Sequence, residues 1–321
     1  MDAAPLVLIP ENPAPPGAEA HWPTLPEGIR LRAVLWAPEK AGIARPRGSV
    51  FIFNGRTEYA EKYFEVAGEL IARGFAVATL DWRGQGLSER LLEDPRKGHI
   101  DDFASYGRDL DFFMQQMAPA LPRPHLALAH SMGGHNLLRW LHENPARLDG
   151  AVLSSPMLGL LLGGPLIRRI LRRAVSLLVK CGREHRYVPG GTSEAVDGTP
   201  FEQNILTSDP ERYARMVLLT KKEPLLGLGA PTLGWLDAAF RSMEMAGMRD
   251  FLQDIQTPLL VLGAGADTLV DSEATRSAAS LLPQAAYVNV AGARHEILME
   301  RDPFRAQFWR AFDGFAARFS G

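Results

Sequence analysis

The stretch LALAHSMGGH, Leu126 to His135, runs four apolar residues into a serine fenced by small neighbours. A serine on a sharp strand-to-helix turn is the nucleophile expected of acyl transfer, and its usual frame is G-x-S-x-G. Here the frame is Ala129-His130-Ser131-Met132-Gly133. The segment that follows, HNLLRWLHENPARL, reads as a helix, so Ser131 stands between a strand and a helix. Small residues on either side relieve the clash of the turn. Alanine at position 129 is tolerated if the backbone there does not need positive φ.

A serine hydroxyl near neutral pH needs a base, and the base needs an acid to orient it. Downstream of Ser131, and outside its helix, the histidines are His185 and His295. His185 sits in a basic polar stretch. His295, in AGARHEI, follows the last apolar run. Asp267, in LGAGADTLV, holds the matching place after the preceding run, and Asp271 is the rival acid. The order Ser131, Asp267, His295 is the order such sites show when each group ends a separate strand. Plainer readings exist: Asp267 as a turn residue and His295 as a helix cap. His130, His135 and His142 read as helix or core residues. Cys181 lacks the strand-end setting of a nucleophile. The chain has no H-E-x-x-H, and a lone cysteine offers no thiolate pair, so no metal site is expected. Acyl transfer also needs donors for the oxyanion. One is the main-chain N–H of Met132, after the nucleophile. The other is expected from the loop after FIFNG, which reads NGRTEYAEKY.

These groups need a scaffold. Short apolar runs end in turn residues at Gly48–Gly55, Phe75–Gly84, His125–Ser131, Asp149–Pro156, Pro258–Asp267 and Ala286–His295. Near-continuous apolar runs of this kind read as strands buried on both faces. IRLRAVLWAP alternates and reads as an edge or antiparallel strand. EKYFEVAGELIARG is apolar at helical spacing and stops at Gly74. DDFASYGRDLDFFMQQM begins with an aspartate pair suited to capping. Helices alternating with buried strands imply crossovers and a mostly parallel sheet covered on both faces. The rhythm breaks from about Met157 to Ala230, where helical patterns and Gly/Pro breaks replace strands. An insertion above the carboxyl ends of the strands is expected there, where open sheets place ligands. The expected division is a core of 1–156 and 231–321 with a helical lid of 157–230.

Together these residues resemble the α/β-hydrolase fold, and more narrowly its monoacylglycerol lipase and bacterial lysophospholipase group. That group's loop H-G-x-x-E-x-x-x-[RK]-Y is matched by Gly55, Glu58, Lys62 and Tyr63, with Asn54 in place of histidine. Its D-x-R-G-x-G-x-S is matched by Asp81 to Ser88, DWRGQGLS. The following LLEDPRKGHIDDFASYGRDLDFF is similar to the lysophospholipase branch. The resemblance covers about residues 48–156 and 258–300. It implies that Arg56 supplies the second oxyanion N–H from its backbone, leaving its side chain free to face an anionic headgroup or solvent. It implies a serine ester hydrolase acting on single-chain lipid esters through an acyl-enzyme, without cofactor. The rival readings are a small-ester or thioester hydrolase and a catalytically silent binding scaffold.

The 321 residues are 46% apolar and 22% charged, enough for a full core. A net charge of −2 gives no reason to expect a nucleic-acid partner. The N-terminal MDAAPLVLIPENPAPPG lacks a basic leader and reads as an arm. No apolar run is long enough to span a bilayer. A single cysteine suits a reducing cytoplasm. One segment offers two readings, a lid or a peripheral contact with the inner face of a membrane. In PLIRRILRRAVSLLVKCGR, Leu166, Ile167, Ile170, Leu171, Ala174, Val175 and Leu178 share one helical face, opposite Arg168, Arg169, Arg172 and Arg173. Such a face either packs on the mouth of the site or lies in the interface of an anionic membrane. A lid must bury something, which favours packing. The oligomeric state has no signature in the sequence.

Overall fold

In the computed structural model, which describes residues 1–195 and 198–319, a nine-stranded sheet forms the centre of the chain. Its strands are β1 (Asp2–Ala3), β2 (Ala18–Trp22), β3 (Arg32–Trp36), β4 (Gly48–Phe53), β5 (Phe75–Asp81), β6 (His125–His130), β7 (Gly150–Ser154), β8 (Leu259–Ala264) and β9 (Ala285–Val290). Their order across the sheet is β1-β2-β3-β5-β4-β6-β7-β8-β9. From β5 to β9 every pairing is parallel, whereas β1, β2 and β3 add antiparallel to the β5 side. The fold is therefore the mostly parallel α/β-hydrolase sheet implied by the resemblance. IRLRAVLWAP supplies β3, antiparallel as expected, but it is interior because the N-terminal arm adds β2 and β1 outside it. AYVNV departs from the expected burial on both faces. It forms β9, the far edge of the sheet, and is half-exposed.

Alternation along the central strands feeds two cores. Phe51, Phe53, Ala127, Ala129 and Leu153 face one side, while Val50, Ile52, Leu126, Leu128 and Val152 face the other. The second side is covered by α1 (Phe64–Ala72) and α9 (Asp302–Ala316). The first is covered by α2 (Ala104–Met117), α3 (Met132–Glu143), α6 (Leu233–Ala246) and α8 (Ser272–Leu281). The strands are apolar on both faces because both are buried. Ahead of α2, Asp102 of the expected aspartate pair accepts the Ala104 N–H at 2.8 Å.

Between β7 and β8 the described residues form α4 (Pro165–Lys180), α5 (Pro210–Lys222), α6 and α7 (Arg249–Gln253), with no strand beyond isolated bridges. α5 is latched to the core: Arg212 meets Glu65 of α1 at 2.7 Å and Asp302 of α9 at 2.8 Å, and Arg215 meets Glu65 at 2.8 Å. α4 rests on α6. It turns Leu171, Val175, Leu178 and Val179 inward, but Leu166, Ile167, Ile170 and Leu177 outward. The favoured packing of the whole apolar face is thus corrected: the face is split, because one helix side carries only part of it toward α6. Arg168 and Arg172 are not free either, being paired with Asp271 and Glu244.

Candidate active site

β6 ends at His130, and α3 starts at Met132, so Ser131 is the turn itself. Its φ of 50° and ψ of −117° lie where side chains are rarely tolerated. The surrounding chain holds it there. Ser131 N–H donates to Ser154 O at 3.0 Å, and its carbonyl accepts Met157 N–H at 3.0 Å. A Cβ at Gly133 would lie 2.2 Å from the Phe53 carbonyl, so the second small position has to be glycine. Ala129 belongs to β6 and is not among the positive-φ residues, so alanine costs no strain there.

The loops after β8 and β9 bring the other two groups to the same edge. The Ser131 hydroxyl lies 2.9 Å from His295 Nε2. His295 Nδ1 lies 2.7 Å from Asp267 Oδ2 and, as donor there, leaves Nε2 free to take the serine proton. Asp267 Oδ1 accepts the N–H groups of Leu269 at 2.8 Å and Val270 at 3.0 Å. Burial would raise this carboxyl, but His295 and the two amides outweigh it and hold it below the usual value. The rival Asp271 is turned to another task. It caps α8, accepting the N–H groups of Glu273 and Ala274, and it pairs with Arg168. His185 is exposed and stacks edge-on against His99, in the segment between β7 and β8.

The loop after β4 is fixed from three sides. Trp82 Nε1 donates to the Asn54 carbonyl at 2.8 Å, and Asn54 Nδ2 donates to Leu80 O at 2.8 Å. Gln85 Nε2 donates to Gly55 O at 2.7 Å and Glu58 O at 3.0 Å. Gly86 lets Gln85 come this close, since a Cβ there would lie 2.2 Å from the Asp81 carboxylate. These contacts hold the loop that carries Arg56, and the chain just ahead of it passes the first turn of α3, since a Cβ at Gly133 would lie 2.5 Å from the Asn54 carbonyl; in that turn the N–H of Met132 has no acceptor within its own helix.

Two residues behind the site, Glu58 and Gln85, belong to the sequence motifs, but their part in the site shows only in the structure. Glu58 Oε2 accepts from Gly55 N–H, Tyr63 Oη and His130 Nδ1, and Oε1 pairs with Lys62 at 2.9 Å. Lys62 also meets Glu296 at 2.6 Å. Burial would raise the Glu58 carboxyl, but Lys62 and His130 hold it well below the usual range. Burial would lower His130, and Glu58 instead raises it. His130 stands 4.8 Å from the His295 ring, centroid to centroid. The loop after β4 and the histidine loop are therefore joined through Lys62, which pairs with both Glu58 and Glu296, and through His130, which meets Glu58 on one ring nitrogen and the His295 carbonyl at 3.3 Å on the other.

Ser131 and His295 open into a cavity of about 430 Å³. Met157, Leu160, Ile205, Leu206, Leu269 and Val270 give it an apolar wall, and Arg56 with Trp235 lines it as well. Such a wall suits an alkyl chain. Among the described residues, no group of three or more His, Cys, Asp or Glu side chains is placed to hold a metal ion.

The family model described as serine aminopeptidase, S33, matches residues 44–302. Lysophospholipase L2 of Escherichia coli is 34% identical over 269 residues, covering 80% of this chain and 76% of its own length. The probable lysophospholipase L2 of Haemophilus influenzae is 30% identical over 271 residues, covering 84% and 83%. A solved structure of a soluble variant of monoglyceride lipase from Saccharomyces cerevisiae, in complex with a substrate analog, superposes with a TM-score of 0.70 at 17% identity. That match covers 94% of this chain and 96% of the other, and at such identity it bears on the fold alone.

Proposed function

The chain belongs to the serine aminopeptidase S33 family, and from that premise we propose that it is a serine ester hydrolase cleaving fatty-acyl esters of single-chain lipids, of the lysophospholipase and monoacylglycerol lipase kind. The observation that carries this reading is the hydrogen-bonded chain from Ser131 through His295 to Asp267, opening into an apolar cavity.

In the proposed reaction His295 Nε2 takes the proton of Ser131 as Oγ attacks the ester carbonyl. The oxyanion forms against the main-chain N–H groups of Arg56 and Met132. His295 then gives its proton to the departing alcohol, leaving an acyl-enzyme. Water, deprotonated by His295, attacks the acyl carbon and releases the fatty acid. Asp267 holds the imidazole tautomer and balances the charge it acquires. No step needs a cofactor.

Residues 157–230 act in this reading as a helical lid on a core of 1–156 and 231–321. Support comes from the cavity wall, to which this segment contributes Met157, Leu160, Ile205 and Leu206. The proposal extends to peripheral contact with an anionic membrane on the cytoplasmic side. It is supported by the outward apolar stripe of α4, beside Arg169, Arg173 and Lys180. No helix among the described residues is long and apolar enough to cross a membrane.

A fluorophosphonate probe should label the wild-type protein on Ser131 and leave Ser131→Ala unlabelled. The same variant should lose hydrolysis of a monoacylglycerol and a lysophospholipid by several orders of magnitude while keeping its melting temperature. Activity of Ser131→Ala above about one per cent of wild type would overturn the assignment of the nucleophile.

A further inference from the structure

Arg56 has a side chain that the hydrolytic steps do not use. Its main chain serves the oxyanion, yet its guanidinium lines the same cavity as Ser131. The guanidinium carbon lies 5.3 Å from the centre of the Trp235 ring, and Nη2 donates to Gly229 O at 2.6 Å. Nε is buried with no acceptor. Among the described residues, no carboxylate stands within ion-pair distance of it, whereas the other charges on the cavity wall are paired. Glu58 has Lys62 and His130, and Glu296 has Lys62. Burial lowers the Arg56 guanidinium to about 10, so it is still a cation at neutral pH.

A half-buried cation whose Nε is shut off from water and has no counter-charge is costly, and one carbonyl with one aromatic face offsets only part of that cost. Holding Gly229 in place does not require a charge, since any neutral donor would serve. The unspent N–H groups point to an anion that arrives with the substrate. Arginine is the side chain suited to a phosphate, which it can grip with two parallel hydrogen bonds.

The spacing sets which anion. The ester oxygen would sit on the Arg56 main-chain N–H and the anion on the side chain of the same residue. Bond lengths near 1.5 Å put the reach of an arginine side chain on the order of 6 Å. A glycerol backbone between an acyl ester and its phosphate spans about the same distance by the same bond lengths. Thr57, next in the chain and also lining the cavity, is held at φ 68°, a conformation that β-branched residues seldom adopt. Strain of that kind persists where the surrounding structure imposes it, as it does at binding sites.

Resting on the ester-hydrolase reading, we infer that the Arg56 side chain, over Trp235, is the subsite for the phosphate of a single-chain phospholipid and sets the preference for it over the uncharged monoacylglycerol. Arg56 therefore recognises both ends of the glycerol unit, the carbonyl oxygen by its backbone and the phosphate by its guanidinium.

The test compares kcat/KM for a 1-acylglycerol 3-phosphate and for the 1-monoacylglycerol of the same chain, both as monomers in solution, in wild type, Arg56→Lys and Arg56→Gln. The wild type should favour the phosphate ester. Arg56→Gln should cut that ratio at least tenfold, mainly through KM of the phosphate ester, and Arg56→Lys should restore part of it. A ratio that stays constant while both activities fall together would overturn the subsite and leave Arg56 a main-chain donor only. A second measurement needs no variant. Glycerol 3-phosphate should inhibit wild-type hydrolysis of the monoacylglycerol competitively, and glycerol should not. Absence of that inhibition, in protein that still hydrolyses the neutral ester, would also overturn it. Inhibition by inorganic phosphate without any preference for the phosphate ester would assign the site to a free anion and reject the headgroup. Hydrolysis of neither lipid would instead count against the ester-hydrolase reading itself.

Discussion

Asp267 and Asp271 stand four residues apart on one loop, and their hydrogen bonds tell them apart. Asp267 divides its oxygens between two loop amides and His295, so the loop aims it at the histidine. Asp271 spends one oxygen on the first turn of α8 and the other on Arg168. Asp267→Asn would keep the shape but replace an acceptor with a donor facing His295 Nδ1–H, which favours the wrong tautomer. Its turnover is expected to fall by about 10⁴. Asp271→Asn retains a good capping side chain, so its melting curve should shift by no more than about 1 kcal/mol equivalent, and its turnover should stay within a few-fold of wild type. Steady-state kinetics on one soluble ester ranks the two; the opposite order would make Asp271 the acid. The sequence favours Asp267 because it sits directly at the strand end, but it leaves Asp271 open because both follow the same strand within one turn. Glu58 and Gln85 were visible as motif letters only. What they do depends on Gly55, His130 and Lys62 meeting at one buried point, and contacts across 72 residues, as between Glu58 and His130, leave no periodic trace.

Elements were legible where burial is two-sided. The runs that became β4 to β8 are apolar on both faces because helices cover both, and the rule that reads them needs no partner information. AYVNV failed that rule: as the edge strand it keeps the same β-branched composition with only one neighbour. β2 was missed because AEAHW has no apolar run, and it is paired only through β3 and β1. The arginines of α5 give no helix-level signal either, yet they fix that element to the core. Glu65 gathers Arg212 and Arg215, and Arg305 lies 3.6 Å away. Burial would raise Glu65, but these cations hold it down to about 2, against an ordinary 4.5. The unfolded chain therefore binds this proton more tightly than the folded one. The contribution is fully present above about pH 4.5 and is lost as pH falls toward 2. Glu65→Gln should lower the melting temperature at pH 7 and flatten its decline between pH 4.5 and 2. An unchanged slope across that window would mean that the latch between α1, α5 and α9 carries no acid sensitivity.

At the scale of the whole molecule, the helical segment above the sheet has two unlike halves. The α5 half is tied to α1 and α9 by ion pairs, and the chain just before it is bonded to the histidine loop, Glu296 N–H donating to Leu206 O at 2.9 Å. The α4 half holds one fully buried side chain, Val175, and presents Leu166, Ile167, Ile170 and Leu177 at 59–66% exposure. Periodicity announced an amphipathic helix, but it assigned the apolar residues to a single face. The structure shows why that was only half right: a stripe broad enough to wrap the helix was shared between α6 and the outside. Arg168 and Arg172 lean to the packed side and find carboxylates, while Arg169 and Arg173, on the outer side, have no ion-pair partner among the described residues. An apolar stripe flanked by unpaired cations gains on an anionic bilayer from both terms, apolar burial and attraction to headgroups, and only the second is screened by salt. Co-sedimentation should therefore show binding to vesicles containing phosphatidylglycerol at low salt, weaker binding at high salt, and little to neutral phosphatidylcholine. Arg169→Gln with Arg173→Gln should reduce the dependence on lipid charge. Ile170→Asp with Leu177→Asp should reduce binding at either salt, with the soluble-ester kinetics reporting that the site is still formed. Binding indifferent to lipid charge and salt, or unaffected by both pairs of changes, would place the membrane contact elsewhere and leave α4 a helix packed on α6 alone.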